Sequence, residues 1–381
     1  MKKYETIIIG AGIAGIGCAY KLLENNYTNF KIISPDIGGR IIESDSGTVE
    51  YGAYYVMDIY HNMSAHIEKG REIKPTSLMF HKKNQSYSVF NKRLFSKLPE
   101  LIRLVFILRK FKKHYEKFKK DCLHEAQLSL LRKNEYLWDL YNISAGEYIK
   151  REKIDSIMYD FMAEVLHGSA FTPIKNLNAF TLLHFSLPLI VSIHEFVFRK
   201  KEVSKYLENN YIDDVVLKIN KGSNGFELKL KSGENLVCDK LVIASPPQIT
   251  KELLHLKVET RGPVSAHMFH MLGEVREEWN EKDYNLFEDD NRILAIAHQR
   301  DNSYLFYSVD EKPNFDKYFY EYKILKHKYW DPAFCVEGHN TIDFEKEENM
   351  YIIGDNNVCG IEPTYIYGQY CGNKILGKTI D

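Results

Sequence analysis

The chain opens with the alternation of apolar and polar positions that is typical of a β-α-β unit. An apolar run at residues 6–9 leads into a glycine-rich segment at residues 10–15, and a helical repeat of apolar positions covers residues 16–23. A second apolar run follows at residues 30–33. Short apolar runs of this length, separated by a helical repeat, predict two parallel strands joined by a helix.

The rest of the chain divides into a helical block and a region of strands. Residues 91–165 show long helical patterns without a strong strand signal, whereas later residues alternate around turn signals at residues 222–225 and 232–233. The pattern predicts a last helix at residues 363–376 and strands at residues 214–219, 226–231, 236–244, 264–272, 293–298, 304–309 and 350–353.

The glycine-rich segment after the first predicted strand fits a dinucleotide site. Gly10 allows a tight turn, Gly12 lets the backbone approach a pyrophosphate, and Gly15 lets the helix pack closely on the strand. The free N–H groups and the positive end of the helix dipole then favour phosphate. The alternative is a purely structural glycine turn, but the flanking strand and helix favour the nucleotide site.

Composition and charge exclude several classes of protein. The chain has 381 residues, 44% of them hydrophobic, and a formal net charge of −1, so we expect a globular protein without a global field that attracts nucleic acid or an anionic membrane. The apolar N-terminus resembles a signal peptide, but the glycine fingerprint explains it better. Scattered cysteines without metal spacing predict a cytoplasmic protein without a metal site: Cys18, Cys122, Cys238, Cys335, Cys359 and Cys371.

A basic amphipathic helix is predicted at residues 98–120. Its apolar positions recur at helical spacing, and its other positions carry many lysines and arginines, Lys119 among them. The simplest interpretation is a solvated basic face. The alternatives are contact with a membrane surface, with an acidic partner or with an anionic substrate.

Four separated segments resemble the FAD-dependent amine oxidase superfamily, which includes monoamine oxidases, protoporphyrinogen oxidase and carotenoid desaturases. They are residues 10–15 with the Gly38-Gly39-Arg40 sequence, residues 49–53, residues 215–246, and residues 353–368. The resemblance implies noncovalent FAD, because Cys359 lies downstream of the position of the family's flavin-linked cysteine. It implies these cofactor-binding residues: Gly10, Gly12, Gly15, Ser34, Asp36, Gly39, Arg40, Tyr51, Gly52, Ala53, Val215, Val216, Ser245, Gly354, Asp355 and Ile361.

The resemblance also implies an α/β fold. We expect a doubly wound, Rossmann-like FAD-binding domain that is discontinuous in sequence, formed by residues 1–60, 200–255 and 335–381. Residues 61–199 and 256–334 would form a mixed α+β substrate domain that includes the helical block at residues 91–165.

The chain departs from the family at positions that matter for chemistry. The family's ribose-binding glutamate is replaced by Ser34 or Asp36, and we do not choose between them. No lysine lies where many amine oxidases hold one near flavin N5; His267 and His270 are the candidate acid or base, or are simply hydrogen-bonded residues of a strand. Gly360 stands where monoamine oxidases place a cage tyrosine and would leave a void. Tyr329 and Trp330 would supply the opposite wall, or Trp330 would instead belong to the core.

The sequence predicts an FAD-dependent oxidoreductase that oxidises or desaturates a small to medium organic molecule by hydride transfer to flavin N5. One alternative is a non-redox flavoenzyme similar to UDP-galactopyranose mutase, although residues 54–57 lack the histidine expected there. The other is a degenerate flavin-bearing scaffold that acts through a binding partner.

Overall fold

A computed structural model describes residues 1–83, 85–222, 225–288 and 291–379. Ser223 and Asn224, in the predicted turn at residues 222–225, lie outside the described residues. The strands are β1 Lys2–Gly12, β2 Phe30–Gly38, β3 Val56–Met57, β4 Ile67–Glu72, β5 Leu78–Lys82, β6 Gln85–Ser88, β7 Ile193–Phe198, β8 Tyr211–Ile212, β9 Val216–Gly222, β10 Gly225–Leu230, β11 Asn235–Ile243, β12 Gly262–Val275, β13 Tyr284–Phe287, β14 Ile293–His298, β15 Tyr304–Ser308, β16 Phe319–Glu337, β17 Glu345–Glu347 and β18 Met350–Ile352.

The helices include a long α3 and a long C-terminal α12. They are α1 Ile13–Leu23, α2 Lys92–Ser96, α3 Leu98–Asp121, α4 Gln127–Lys133, α5 Glu135–Asn142, α6 Ala145–Glu152, α7 Asp155–Ile157, α8 Ala163–Ala170, α9 Ala179–Ser186, α10 Lys200–Leu207, α11 Pro247–Leu253 and α12 Ile361–Ile375. Short 3₁₀ turns lie at Ser64–His66, Pro75–Ser77, Ile174–Asn176, Leu187–Leu189, Glu277–Trp279 and Phe315–Lys317, and a π-helical turn at Met158–Met162.

The first sheet has the order β17-β18-β11-β1-β2-β8, with β10 beside β11 and β9 beyond β10. β1 pairs in parallel with β2 and with β11, and β11 pairs in parallel with β18. Strands buried on both faces read as continuous apolar runs, which explains the sequence of residues 7–9 and 241–243. The strands of this sheet come from three separated parts of the chain.

α1 and α12 pack on this sheet in close contact with each other. A Cβ on Gly368 would lie 2.0 Å from the carbonyl oxygen of Ala14, and one on Gly17 would lie 2.5 Å from that of Tyr365. These two glycines therefore set the separation of the helices, because any side chain there would force the backbones apart.

A second sheet has the order β16-β12-β15-β14-β13-β5-β6, and a third small sheet has the order β3-β7-β4. Helices α3 to α9 lie in the largest hydrophobic cluster together with α1 and α12. The predicted combination of a doubly wound α/β sheet, a mixed α+β part and a helical insertion is confirmed, while the division into domains stays a prediction.

Candidate cofactor and active site

The carboxyl ends of β2, β1, β11 and β18 meet at one edge of the first sheet. The turns at this edge belong to the motif segments that the sequence singles out: residues 10–15, 38–40, 244–246 and 353–360. In open parallel sheets this edge is where ligands bind, because helix N-termini and strand ends face the same crevice. The topology therefore brings the four motif segments together.

The three fingerprint glycines have different surroundings. A Cβ on Gly10, which has φ +102°, would lie 2.8 Å from the carbonyl oxygen of Ala244, and a Cβ on Gly15 would lie 2.0 Å from that of Gly10. At Gly10 and Gly15, backbone atoms of other residues therefore occupy the space that a side chain would need. Gly12 has φ −74°, and the nearest atom to a Cβ there is the Cα of Gly39 at 3.9 Å. Gly12 thus borders open space, and as the N-cap of α1 it leaves the first turn without a side-chain acceptor.

Arg40 crosses this edge and binds Asp355. Its guanidinium donates hydrogen bonds of 2.8 and 2.7 Å to the two carboxylate oxygens of Asp355, and a third of 3.1 Å to the carbonyl of Ala333. Burial acts to raise the pKa of Asp355, but the neighbouring guanidinium and its hydrogen bonds hold that pKa below its usual value. Asp355 is therefore an ionised carboxylate.

The segment at residues 51–53 holds Arg40 from the other side. A Cβ on Gly52 would lie 1.8 Å from the carbonyl oxygen of Arg40, and the N–H of Ala53 donates to that oxygen at 3.1 Å. The N–H of Tyr51 donates to the carbonyl of Ile42. Gly52 is thus required for the close approach of two backbones, and Tyr51 points its ring into the core of the second sheet.

The loop after β18 contains buried polar groups without partners. Asn356 is 3% exposed, and neither its amide nitrogen nor its oxygen has a hydrogen-bond partner within the described part of the chain. It lies beside Gly354, whose Cβ would be 3.5 Å from the Asn356 amide nitrogen. Buried polar atoms are normally satisfied, so an unsatisfied amide at a ligand-binding edge indicates a missing partner.

The void expected at Gly360 is occupied by His184, so this expectation is wrong. A Cβ on Gly360 would lie 2.9 Å from Cε1 of His184. The imidazole is 3.1 Å from the hydroxyl of Tyr115 through Nε2, whereas Nδ1 is buried and without a partner among the described residues. Burial lowers the pKa of His184 to about 3, so the ring is neutral. Ile361 is buried at the start of α12, in the same cluster as α9.

Glu362, next in α12, is fully buried and orders the loop at residues 61–63. Its carboxylate accepts hydrogen bonds from the N–H groups of His61, Asn62 and Met63. Nζ of Lys119 lies 3.9 Å from the same carboxylate and donates to the carbonyl of Ile59. Lys119 is 5% exposed, so its assignment to the solvated basic face is corrected: it lies on the buried face of α3.

His267 and His270 do not form one site. His270 is buried, with Nδ1 3.0 Å from the Tyr51 hydroxyl and Nε2 2.8 Å from the Ser303 hydroxyl. His267 lies on the other face of β12, 3.0 Å from His327. Residues three apart on a strand point to opposite faces, which separates them. Burial lowers the pKa of both histidines. The structure supports the hydrogen-bonded strand interpretation, and the catalytic pair is corrected.

Tyr329 and Trp330 also lie on opposite sides of their strand, β16. Tyr329 is 51% exposed and stacks on His267. Trp330 is buried in the core of the second sheet and donates its indole N–H to the carbonyl of Tyr51 at 3.2 Å. The expectation that both form one pocket wall is therefore corrected by the alternation of the strand.

The remaining predicted cofactor residues are engaged within the protein. The Ser34 hydroxyl donates to the carbonyl of Asp36, and the Asp36 carboxylate accepts from Lys200 at 2.7 Å. The N–H of Val215 donates to Asp214. Val216 packs in the core of the first sheet. The choice between Ser34 and Asp36 stays open, since both are accessible at the end of β2.

Ser245 stabilises the turn between β11 and α11. Its hydroxyl lies 2.9 Å from that of Thr250, which also contacts the carbonyl of Ser245 at 3.1 Å. This side chain therefore connects the strand end to the following helix, in the turn that packs against Gly10.

Sequence reasoning missed four buried polar residues: His184, Arg261, Asn356 and Glu362. Arg261 is 1% exposed and donates to the Thr181 hydroxyl and to the carbonyl of Val336. Asn356 directly follows Asp355, a residue of the closing motif, so its place in the motif was a usable signal. His184 and Arg261 are isolated in sequence, and only tertiary packing brings them to the site.

Comparison with known proteins supports the fold. No protein-family model matches the chain, and no curated protein is detectably similar in sequence. Among solved structures, an engineered double mutant of putrescine oxidase is 10% identical and aligns over 99% of both chains with a TM-score of 0.69. The CLA-producing fatty acid isomerase from P. acnes is 12% identical over 96% of this chain and 97% of that chain, with a TM-score of 0.70.

An oxidoreductase from Methanosarcina mazei is also similar, at 12% identity over 98% of this chain and all of that chain (100%), with a TM-score of 0.61. These alignments extend over nearly the whole length of each protein. The chain therefore shares its overall α/β fold with these three solved structures.

Proposed function

We propose that this chain is an FAD-dependent oxidoreductase that oxidises or desaturates a small to medium organic molecule. The observation that supports this most is the edge of the first sheet, where Gly12 borders open space at the uncapped start of α1. The same edge holds Arg40 and the unsatisfied amide of Asn356. An anionic, hydrogen-bonding dinucleotide would supply an acceptor for the first N–H groups of α1 and partners for the amide of Asn356.

Different residues at this edge of the sheet would bind different parts of the proposed cofactor. The first N–H groups of α1, next to Gly12, would donate hydrogen bonds to the pyrophosphate. Asp355 and Asn356 would bind hydroxyl and carbonyl groups of the cofactor, since one is an ionised acceptor and the other has both a free donor and a free acceptor. Bound FAD would supply the hydride acceptor.

The buried residues around Gly360 would exclude water from the proposed reaction centre, and Nδ1 of His184 would be the polar atom available to a bound molecule there. His184 is neutral and fully enclosed, and its Nδ1 has no partner among the described residues. A neutral imidazole in this position either donates or accepts one hydrogen bond without bringing a charge into an apolar region. We therefore infer that His184, rather than His267, is the polar residue nearest the reaction centre.

The proposed attachment is noncovalent, and the proposed location is cytoplasmic. Burial raises the pKa of the Cys359 thiol to about 11, so the thiolate that would bond to a flavin is disfavoured. Burial of all six free cysteines supports a location in a reducing compartment.

A second candidate is a non-redox flavoenzyme, favoured by the structural similarity to a fatty acid isomerase. Such an enzyme returns the hydride or electron to the product, so no external acceptor is consumed. The same cofactor-binding edge serves both candidates, and they differ in the fate of the reducing equivalents.

The absorbance spectrum of the purified protein, followed by anaerobic addition of candidate substrates, tests the proposal. Flavin absorbance that bleaches with substrate and returns with dioxygen is expected for the oxidoreductase. Conversion that requires prior reduction by dithionite, with no net use of reductant, identifies the non-redox enzyme. A protein that takes up no flavin after incubation with FAD contradicts both. Acid precipitation that leaves the flavin in solution shows noncovalent binding.

A further inference from the structure

α3 presents two faces of different character. The inward face packs in the main hydrophobic cluster through Leu104, Leu108, Phe111, Tyr115 and Phe118. The outward stripe, at spacings of three and four residues, is exposed along the whole helix: Leu98, Ile102, Phe106, Arg109, Lys113, Lys117 and Lys120. The outward stripe is apolar for its first half and cationic for its second half.

The apolar end of this stripe continues into α2 and the segment before it. Phe90 is 60% exposed, Phe95 70%, Ile102 50% and Phe106 63%. Large apolar side chains scattered singly on a surface are ordinary, but a contiguous group marks an interaction site. We define the docking face as five apolar and six cationic side chains: Phe90, Phe95, Leu98, Ile102, Phe106, Lys92, Arg93, Arg103, Arg109, Lys110 and Lys113.

Among the described residues, the cations of the docking face have no carboxylate partner, although Arg93 donates to the side-chain oxygen of Gln85 and Arg103 donates to the carbonyls of Glu152 and Lys153. Within the described ranges, none of the six lies within salt-bridge distance of a carboxylate, whereas Lys112 and Lys117 further along α3 are paired with Glu116 and Asp121. An open recess of about 450 Å³ lies next to α2 and is lined by Gln85, Ser86, Tyr87, Asn91, Lys92 and Arg93. A phosphate group fits the donors of this recess.

We propose that the docking face binds the surface of an anionic phospholipid bilayer. On α3 the outward stripe changes from apolar to cationic after Phe106, while Lys92, Arg93 and Arg103 flank the apolar side chains. This pattern matches a membrane interface, where the apolar side chains enter the boundary of the acyl chains and the flanking cations meet the phosphates. No helix of the described residues is long and apolar enough to cross a membrane, so the contact is peripheral.

An acidic protein surface would satisfy the cations equally well but gives no reason for a cluster of exposed phenylalanines at one end. The bilayer accounts for both features with one partner. The proposal is independent of the cofactor, because the inference uses only the surface of α2 and α3.

Co-sedimentation with phosphatidylcholine vesicles, with and without phosphatidylglycerol, tests the proposal on the full chain. Binding is expected with phosphatidylglycerol, and it weakens as salt is raised. Phe95→Ser with Phe106→Ser should reduce the partition coefficient at least ten-fold. Lys110→Gln with Lys113→Gln should reduce it about five-fold for each cation removed. Leu217→Ser, at a 55% exposed position on β9, is the matched control and should bind as the unaltered chain does.

A tryptophan reporter separates insertion from adsorption. Phe106→Trp should show a blue shift of its added fluorescence on anionic vesicles, whereas Leu217→Trp should not. Absence of vesicle binding overturns the proposal. Binding that depends on the cations, with no blue shift and no effect of the serine substitutions, also overturns it and indicates an acidic macromolecule as the partner.

Discussion

The guanidinium of Arg40 and the carboxylate of Asp355 form an ion pair with two hydrogen bonds, of 2.8 and 2.7 Å, between residues 315 positions apart. The pair joins the turn after β2 to the loop after β18 at the edge where the proposed cofactor binds. Asp355 is 6% exposed, so the pair is largely shielded from water.

Removing one partner of this pair should destabilise the protein. Asp355→Asn leaves Arg40 without a counter-charge, which costs about 3–5 kcal/mol for a buried pair and less to the extent that water reaches Arg40. Arg40→Ala should also weaken FAD binding ten-fold or more, since a charge-assisted hydrogen bond contributes roughly 1.5–3 kcal/mol. Urea unfolding of both single variants and the double variant measures the coupling. Additive effects would show that the pair does not stabilise the fold.

Substitution of Gly12 should affect the binding of FAD more than the stability of the fold. Because φ is −74° and the nearest atom to a Cβ is 3.9 Å away, Gly12→Ala should leave the melting temperature unchanged. Gly12→Val should abolish FAD binding, because its side chain occupies the space proposed for the pyrophosphate. Isothermal titration with FAD and thermal melting of the apoprotein separate the two effects.

The control for this experiment is Gly15→Ala, whose Cβ would lie 2.0 Å from the Gly10 carbonyl. It should lose stability as well as cofactor. Full FAD occupancy in Gly12→Val would contradict the nucleotide site.

Gly360 should resist substitution for two reasons. Its φ of 112° and ψ of 153° lie in a region that costs other residues about 1–3 kcal/mol, and a Cβ would approach His184 to 2.9 Å. Gly360→Ala should therefore lower the melting temperature, and His184→Ala in the same chain should recover only the steric part. Gly360→Tyr should lose stability and turnover together. A Gly360→Ala variant that melts normally would contradict this geometry.

Glu50 should make stability depend on pH. Burial raises its pKa to about 8 from an ordinary value of 4.5, so its protonated form stabilises the fold. This contribution to the free energy of unfolding is fully present below pH 4.5. It decreases by roughly 1.4 kcal/mol for each pH unit between the two pKa values and is lost once the pH has risen through 8. Glu50→Gln should be more stable than the unaltered chain at pH 8 and equal to it at pH 4. The exposed Glu68→Gln should show no such difference.

Lys119 and Lys120 give a matched pair on one helix. Lys119→Ala removes the cation 3.9 Å from the buried Glu362 and should destabilise the protein by about 2–4 kcal/mol. Lys120 is exposed, so Lys120→Ala should change stability by less than about 0.5 kcal/mol. Denaturant unfolding at pH 7 compares the two. Equal effects would place Lys119 on the surface.

The sequence by itself indicated the β-α-β unit at the start of the chain, the strands β9 to β12, β14, β15 and β18, and the helices α3 and α12, but not the long strand β16 or the strands β4 to β7. Strands buried on both faces read as continuous apolar runs, so residues 6–9 and 241–244 indicated strands of the parallel sheet. The bounds of α3 were predicted to within one residue because its apolar repeat is long. The glycine fingerprint was readable because backbone contacts at Gly10 and Gly15 require glycine in any chain with this turn.

Only the tertiary structure decided which side chains meet. The period of a strand shows that His267 and His270 face opposite ways, but not which face borders the site. In the sequence, Lys119 is one of many cations on a basic helix. Only the tertiary structure places it beside Glu362 of α12. His184 reads as one polar residue of an apolar helix, and its place beside Gly360 depends on contacts between segments 176 residues apart. The local sequence determines the periodicity of helices and strands and the residues at turns. The partners of a buried polar group depend instead on how elements that are distant in sequence pack together.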